Sequence, residues 1–499
     1  MTYRRIGLIL GLVLFALVWW LPTPAGLSWE GKMAAAITLL MACWWITEAV
    51  PIAVTSFVPL VLFPLCGVLN AKATAANFGQ SFVLLFICSL IIAKAIELSG
   101  LHKRIALGII RRIGTSRRRV LSSCMLATAL LSMWLSNLAV SLMMLPIGLA
   151  LLSRDDGKGA DRFATALVIS IAYAATIGGV ATLVGTPPNL VFAGMLKELF
   201  PEAPEISFFQ WLMFGLPLSA IFLPIAWWYL VKFFKVEGEL GGSRESIEEQ
   251  WRALGSISLG EKRTAWIGVL TVVGWIFRKD LAIGSFTLPG WSGLLGVGSM
   301  VDDGTVAALG MILLFIIPSG APAEEPGKLP PRLMNWRVAQ TIPWGVAMIV
   351  GGGYCLASGF QATGLTTWLG DQMGVISTFP VFLLVLSVVI SLSFLTEINS
   401  NTATSNIFLP VLATMAIAGQ TNPLLLMIPG TVACSCAFML PAGTGPNSVI
   451  FASGRITIPT MAGCGIWLNF IGVILMTLAM YLIAIPVFDI TASVPAWAR

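Results

Sequence analysis

Ser136-Asn137-Leu138-Ala139-Val140-Ser141-Leu142-Met143-Met144-Leu145-Pro146 returns 264 residues later as Ser400-Asn401-Thr402-Ala403-Thr404-Ser405-Asn406-Ile407-Phe408-Leu409-Pro410, with six of the eleven positions identical. Each copy is followed by a second matched element, Gly185-Thr186-Pro187-Pro188-Asn189 and Gly443-Thr444-Gly445-Pro446-Asn447, 258 residues apart. Ser99-Gly100-Leu101 and Thr363-Gly364-Leu365 match at the first offset again. The tips and breaks sit within otherwise apolar runs. Polar, helix-breaking clusters at membrane depth, present twice in the same order, mark a secondary transporter built from two repeats.

Of the 499 residues, 57% are hydrophobic and 10% charged, and the mean hydropathy is +0.90. Soluble proteins carry about 25% charged residues, and many runs here approach the ~20 apolar residues that cross a bilayer. The expected fold class is an all-α polytopic membrane protein. Eleven spans are expected near 6–22, 32–49, 51–68, 80–99, 164–195, 208–231, 264–277, 303–317, 342–360, 423–453 and 462–486. Re-entrant hairpins are expected over 118–153 and 376–417, their arms meeting at the Ser-Asn tips. Residues 6–22 follow Arg4 and Arg5 but lack a convincing small-residue cleavage site, so they read as a retained first span.

Positive charge sets the orientation. Lys103, Arg104, Arg111, Arg112, Arg117, Arg118 and Arg119 place 101–119 in the cytoplasm, whereas Glu198, Glu202 and Glu205 suit the outside. The N-terminus is then cytoplasmic and the C-terminus outside, in the inner (plasma) membrane of a prokaryote. Arg278 and Lys279 fall outside as an exception. Five spans per half is an odd number, so the halves are inverted: 1–31 holds the first span, 32–235 the first repeat, 236–263 a cytoplasmic linker and 264–499 the second repeat. Residues 102–114 and 365–374 form surface helices that link the parts, the first with Leu101, Ile105, Ala106, Ile109 and Ile110 as its apolar side.

The net charge of +6 reports orientation and not nucleic-acid binding. The eight cysteines lie mostly in apolar runs, and the single histidine, His102, is far from Cys434 and Cys436. They read as small core hydrophobes, not as a metal or disulfide framework.

A hairpin tip inside the membrane leaves unpaired backbone groups, tolerated only where protein or a water-filled cavity surrounds them. The arm after each tip points free N–H groups and a positive dipole end at it, which suits an anion. The arm before it offers carbonyls, which suit a hard cation such as sodium. The prolines of the second elements break the helices that face the tips. A single Ser-Asn pair would read as glue between helices; four paired elements point to two cation sites with an anion between them.

Here the chain resembles the divalent-anion/sodium symporter family over nearly its whole length. The marks are Trp45-Ile46-Thr47-Glu48-Ala49-Val50-Pro51, Ser136-Asn137-Leu138, Gly185-Thr186-Pro187-Pro188-Asn189, Thr396-Glu397-Ile398-Asn399-Ser400-Asn401-Thr402 and Pro441-Ala442-Gly443-Thr444-Gly445-Pro446-Asn447. The resemblance implies a homodimer with a fixed scaffold and a mobile elevator domain, carrying a small divalent anion with sodium ions. It implies a first sodium site at Ser132, Ser136, Asn137 and Gly185, and a second at Thr396, Asn399, Asn401 and Gly443. Substrate contacts implied in the same way are Ser136, Asn137, Pro188, Ser400, Asn401, Thr402 and Pro446. Two positions depart from the family pattern: Leu138 replaces a threonine, and Gly445 replaces a proline.

The expected activity is sodium-coupled symport of a C4 dicarboxylate such as succinate, malate or fumarate across the bilayer. A sodium-independent exchanger on the same fold is the alternative, and an anion channel the alternative of another class. No HExxH or GxxxxGK set supports an enzyme. Glu48 and Glu397, ionisable groups near membrane depth, are further candidates. For Glu397, bracing the hairpin backbone and attracting a cation both remain open. Gly351-Gly352-Gly353 reads as a close helix contact, and Lys94 and Glu97 as snorkelling side chains.

Overall fold

The computed structural model describes residues 2–113, 116–152, 159–240, 243–283, 286–322, 330–373 and 379–498. The ends of the two expected hairpins at 153 and at 376–378, most of the 154–162 loop, part of the linker, and residue 374 lie outside the described residues.

The chain is helical almost throughout. The first helices are α1 (Thr2–Trp20), α2 (Trp29–Thr47), the short pair α3 (Ile52–Thr55) and α4 (Val58–Leu65), then α5 (Ala71–Ala76) and α6 (Ser81–Leu98). The surface helix α7 (Leu101–Ile113) leads into α8 (Arg117–Ser132) and α9 (Asn137–Leu152). Next come α10 (Ala160–Val180), α11 (Pro187–Leu199) and α12 (Phe208–Phe233). The linker forms α13 (Ser243–Ala253). It is followed by α14 (Leu259–Ile276), a two-stranded antiparallel hairpin (Leu281–Ile283 with Phe286–Leu288), α15 (Trp291–Leu294) and α16 (Asp303–Ile316). After α17 (Trp336–Ala339), α18 (Trp344–Ala362) and α19 (Leu365–Gln372), the second tip joins α20 (Val381–Leu395) to α21 (Asn401–Ala418). The chain closes with α22 (Leu424–Ser435), α23 (Gly445–Phe451) and α24 (Ile458–Ala479).

Among the described residues, six helices are long and apolar enough to cross a membrane, within Tyr3–Trp20, Ala71–Leu98, Ala160–Val180, Phe208–Phe233, Trp344–Ala362 and Ile458–Val487. Shorter apolar helices, among them α9, α20 and α22, fall below the ~20 residues of a full crossing. These are the arms and half-helices flanking the polar clusters. The expected span 51–68 is likewise divided into α3 and α4. The Ser56 hydroxyl bonds back to the Ile52 carbonyl at 3.0 Å, and Pro59 opens the second piece. Helix α14 starts earlier than expected because Ser258 and Glu261 form a reciprocal capping box.

Small residues bring the broken helices close to their neighbours. A Cβ on Gly178 would fall 2.3 Å from the Ala129 carbonyl oxygen, so the backbones of α10 and α8 touch. Within α18, a Cβ on Gly351, Gly352 or Gly353 would fall 2.7, 2.7 and 2.0 Å from Phe78, Ser56 and Asn406. The triplet therefore serves close packing, as its sequence suggests. Tyr173 donates to the Phe438 carbonyl at 2.9 Å and Tyr354 to the Leu190 carbonyl at 2.6 Å, tying the two halves together through buried phenols. All eight cysteines are buried free thiols.

Candidate functional site

The two tips and the two breaks meet around one cavity of about 320 Å³, within the size range of small-molecule sites. Ser136, Asn137, Ser400, Asn401 and Thr402 line it from the tips; Gly185, Pro187, Gly443, Gly445 and Pro446 line it from the breaks. Helices α9, α11, α21 and α23 begin at Asn137, Pro187, Asn401 and Gly445, so all four start at its wall. No charged side chain lines it. The local electrostatics come from backbone N–H groups, chiefly at the starts of α9 and α21, which favour negative charge; α11 opens with two prolines and α23 has a proline second, so these two starts offer few donors.

Behind each tip the side chains form the same pattern. Ser132 Oγ donates to Asn137 Oδ1 at 2.6 Å, and Thr396 Oγ1 to Asn401 Oδ1 at 2.7 Å. Asn137 sits over Gly179, where a Cβ would fall 2.5 Å from its Oδ1. Asn401 Nδ2 donates to the Ser435 carbonyl at 3.2 Å. The breaks match as well. Asn189 Nδ2 donates to the carbonyl of Thr182 at 2.8 Å and reaches that of Gly179 at 3.5 Å. Asn447 Nδ2 donates to the carbonyls of Leu440 at 3.0 Å and Ala437 at 3.2 Å, seven and ten residues back as before.

Ser132, Thr396 and Asn399 are buried behind the tips and not at the cavity surface. Ser132 and Thr396 touch the tip asparagines, and Asn399 Oδ1 accepts the Ser400 N–H at 2.9 Å. Gly185 and Gly443 complete the two groups; a Cβ on Gly185 would fall 2.4 Å from the Gly179 carbonyl oxygen, and one on Gly443 3.0 Å from that of Glu397. The oxygens gathered at each group are carbonyls, amides and hydroxyls, the neutral hard donors that suit sodium. Pro188 is buried in α11 and does not line the cavity; its neighbour Pro187 does.

Glu397 is 2% exposed, and its carboxylate accepts from four donors, one of which reaches both oxygens. Phe438, Met439 and Leu440 donate backbone N–H groups at 2.7, 3.0 and 3.0 Å, and Asn469 Nδ2 donates at 2.8 Å. The carboxylate thus pins the second tip to the second break and to α24. Of the two roles open for Glu397, this set of partners favours bracing. In the first half Met133 holds the corresponding position, and the Thr182 hydroxyl supplies the link by donating to its carbonyl at 2.5 Å. Glu48 lies away from the cavity. It ends α2 in a left-handed conformation (φ 45°) and forms an exposed pair with Arg4 at 3.3 Å, a contact worth about 0–1 kcal/mol.

Sequence reasoning did not assign roles to Asn189 and Asn447, although both end the quoted motifs. Their recurrence in the same place was the available signal. It also missed Pro343 and Val346 near the start of α18, which close the cavity from outside the repeated elements and carry no motif of their own.

A larger cavity of about 830 Å³ adjoins the site and shares Leu90, Ser136, Leu138 and Pro343 with it. It is lined by Lys94, Glu97, His102 and Lys103 and by Gln250, Ala253 and Leu254 of the linker. Lys94 pairs with Glu97 at 2.7 Å, so the pair stands at this vestibule. The linker helix is clamped beside it. Arg104 bonds Glu261 at 2.7 Å and the carbonyls of Leu254, Gly255 and Ser256, while Arg111 pairs with Glu248 at 2.8 Å.

A sequence profile described as "Sodium:sulfate symporter transmembrane region" matches residues 3–489. A sodium-dependent dicarboxylate transporter of Staphylococcus saprophyticus is 41% identical over 99% of this chain and 93% of its own length. Its counterpart in Staphylococcus aureus strain MRSA252 is 40% identical over 99% and 94%. Among solved structures, Neisseria gonorrhoeae MtrF aligns at a TM-score of 0.57 with 13% identity, covering 97% of this chain and 96% of its own. The Alcanivorax borkumensis YdaH transporter aligns at 0.56 with 14% identity, covering 92% and 99%. At that identity the two structures speak for the fold alone.

Proposed function

We propose, for a chain that belongs to the sodium:sulfate symporter family, sodium-coupled symport of a C4 dicarboxylate through the cavity between the two tips. The chain is a membrane transport protein and not an enzyme. The observation that carries the reading is a cavity with no charged side chain, at whose wall four helices begin. A dianion there draws its stabilisation from backbone N–H groups and from cations bound alongside it. Ser136, Asn137, Ser400, Asn401, Thr402 and Pro446 face the dianion, with Pro187 in the place first given to Pro188. One sodium ion belongs with Ser132, Ser136, Asn137 and Gly185, the other with Thr396, Asn399, Asn401 and Gly443. Because the dianion has no fixed cation to meet, its binding depends on sodium, and that dependence is the coupling.

The same reading takes the chain as eleven membrane-crossing segments and two re-entrant hairpins in inverted repeats, 32–235 and 264–499, with 236–263 as cytoplasmic linker. The matched hydrogen bonds at Ser132/Thr396 and Asn189/Asn447 support the repeat. The orientation keeps the N-terminus in the cytoplasm and the C-terminus outside. Arg278 ceases to be an exception to it: buried, it pairs with Asp303 at 2.7 Å and Glu205 at 2.6 Å, and Lys279 pairs with Glu205 at 2.6 Å. Neutralised cations carry little weight as orientation signals. An elevator motion of the tips and breaks against the remaining helices, in a homodimer, completes the proposal.

Uptake of labelled succinate into proteoliposomes tests the function. An inward sodium gradient is expected to raise accumulation at least tenfold over sodium-free vesicles. Equal sodium-free exchange into succinate-loaded vesicles would instead establish an exchanger. For the topology, single cysteines at Ser116 and Asp161, which flank the first hairpin, are expected to react with an impermeant maleimide from the same side. Labelling from opposite sides would make 118–153 a full crossing and overturn the inverted arrangement.

A further inference from the structure

Leu138 belongs to both cavities, standing where the vestibule gives way to the site. It is 46% exposed. Across the site it meets Gly445: a Cβ built there would lie 3.1 Å from Leu138 Cδ1, 3.3 Å from its Cβ and 3.5 Å from its Cγ.

The backbone at 445 does not demand glycine. Its φ is not in the left-handed region, and it is the first residue of α23, a favoured place for proline. Thr444 before it has φ −141° and ψ 154°, the extended shape that precedes a proline. The matching position of the first half holds Pro187, also at a helix start. A side chain added at 445 would press on this leucine, which would have to give by a few tenths of an ångström. The asymmetry runs the other way at the tips, where the second half has Thr402 in the place of Leu138.

We propose that Leu138 and Gly445 are a reciprocal pair that sets the width and polarity of the substrate cavity, confining it to slender dicarboxylates. Leu138 occupies the room that the missing side chain at 445 leaves. It presents an apolar wall on the first-tip side and leaves the carboxylates to the Ser400, Asn401 and Thr402 side. A third carboxylate pressed against Leu138 loses its water and finds no donor. The proposal rests on reading this cavity as the substrate site.

The test is a double-mutant cycle of Leu138→Thr and Gly445→Pro, read by sodium-driven succinate uptake, citrate competition and melting temperature in detergent. Gly445→Pro alone is expected to lower uptake at least tenfold and to lower the melting temperature. With Leu138→Thr added, uptake is expected to return to within threefold of the Leu138→Thr single variant, and the melting temperature to recover. Leu138→Thr alone is expected to make citrate compete at least tenfold better. Gly445→Ala carries the same cycle if the proline variant does not fold. Effects at 445 that are equal in both backgrounds, or citrate competition unchanged by Leu138→Thr, overturn the pair. A wild-type protein that takes up no succinate removes the substrate reading, and the melting cycle then still decides whether 138 and 445 are sterically coupled.

Discussion

Asn401→Ala is expected to lower sodium-driven dicarboxylate uptake at least tenfold in a protein that still folds, and Asn137→Ala to do the same. Each asparagine begins a helix at the cavity wall and presents an amide whose oxygen is held by the hydroxyl five residues earlier, Thr396 or Ser132. Alanine removes, in one step, the oxygen proposed for the cation and the donor proposed for the anion. A hydrogen bond to a charged partner contributes about 1.5–3 kcal/mol, a ten- to hundredfold change in binding. With substrate and sodium coupled as proposed, the loss should appear both in KM for succinate and in the sodium concentration that gives half-maximal uptake. Measured at several sodium concentrations, an effect on neither parameter, accompanied by a lower melting temperature, would return both residues to the role of glue between helices.

Glu397→Ala carries the second large effect, and it falls on stability. The change leaves three backbone N–H groups and the Asn469 amide without their acceptor in a buried place. An orphaned buried donor costs about 1–3 kcal/mol, and whole domains are stable by only ~5–15 kcal/mol. Glu397→Gln is also expected to destabilise, because its amide nitrogen must face backbone donors. If Glu397 instead served to attract sodium, Glu397→Gln would weaken sodium dependence and leave the melting temperature unchanged. Thermal unfolding of the purified protein, set beside uptake, separates the two. The corresponding Met133→Ala removes no acceptor for a side chain, since Thr182 bonds the Met133 carbonyl, and should be far milder.

Much of this site was legible because the signals are local. Proline cannot continue a helix and glycine tolerates close approach, so Gly185-Thr186-Pro187 and Gly443-Thr444-Gly445 locate the two breaks within a few residues. A Ser-Asn step between apolar arms locates each tip, and recurrence at a fixed offset raises both above chance. Orientation signals were weaker. Arg278 and Lys279 counted as bare positive charge in the sequence, whereas Glu205 and Asp303, 73 and 25 residues from Arg278, neutralise them in the fold.

The amino-acid sequence by itself determined where the helices stop at the two tips and the two breaks, which residues stand there, and that the pattern occurs twice. Those are consequences of backbone chemistry within a turn or two of each residue. The tertiary structure alone decided which side chains face the cavity: Pro187 and not Pro188, Leu138 against Gly445, Glu397 turned toward the second break, and Glu48 out beside Arg4. Facing depends on the rotation of each helix about its axis, fixed by packing against partners far away in the sequence. A change of one residue turns a side chain by about 100° around an α-helix, so motif spacing that suffices to place a break does not say which of two adjacent prolines lines the cavity.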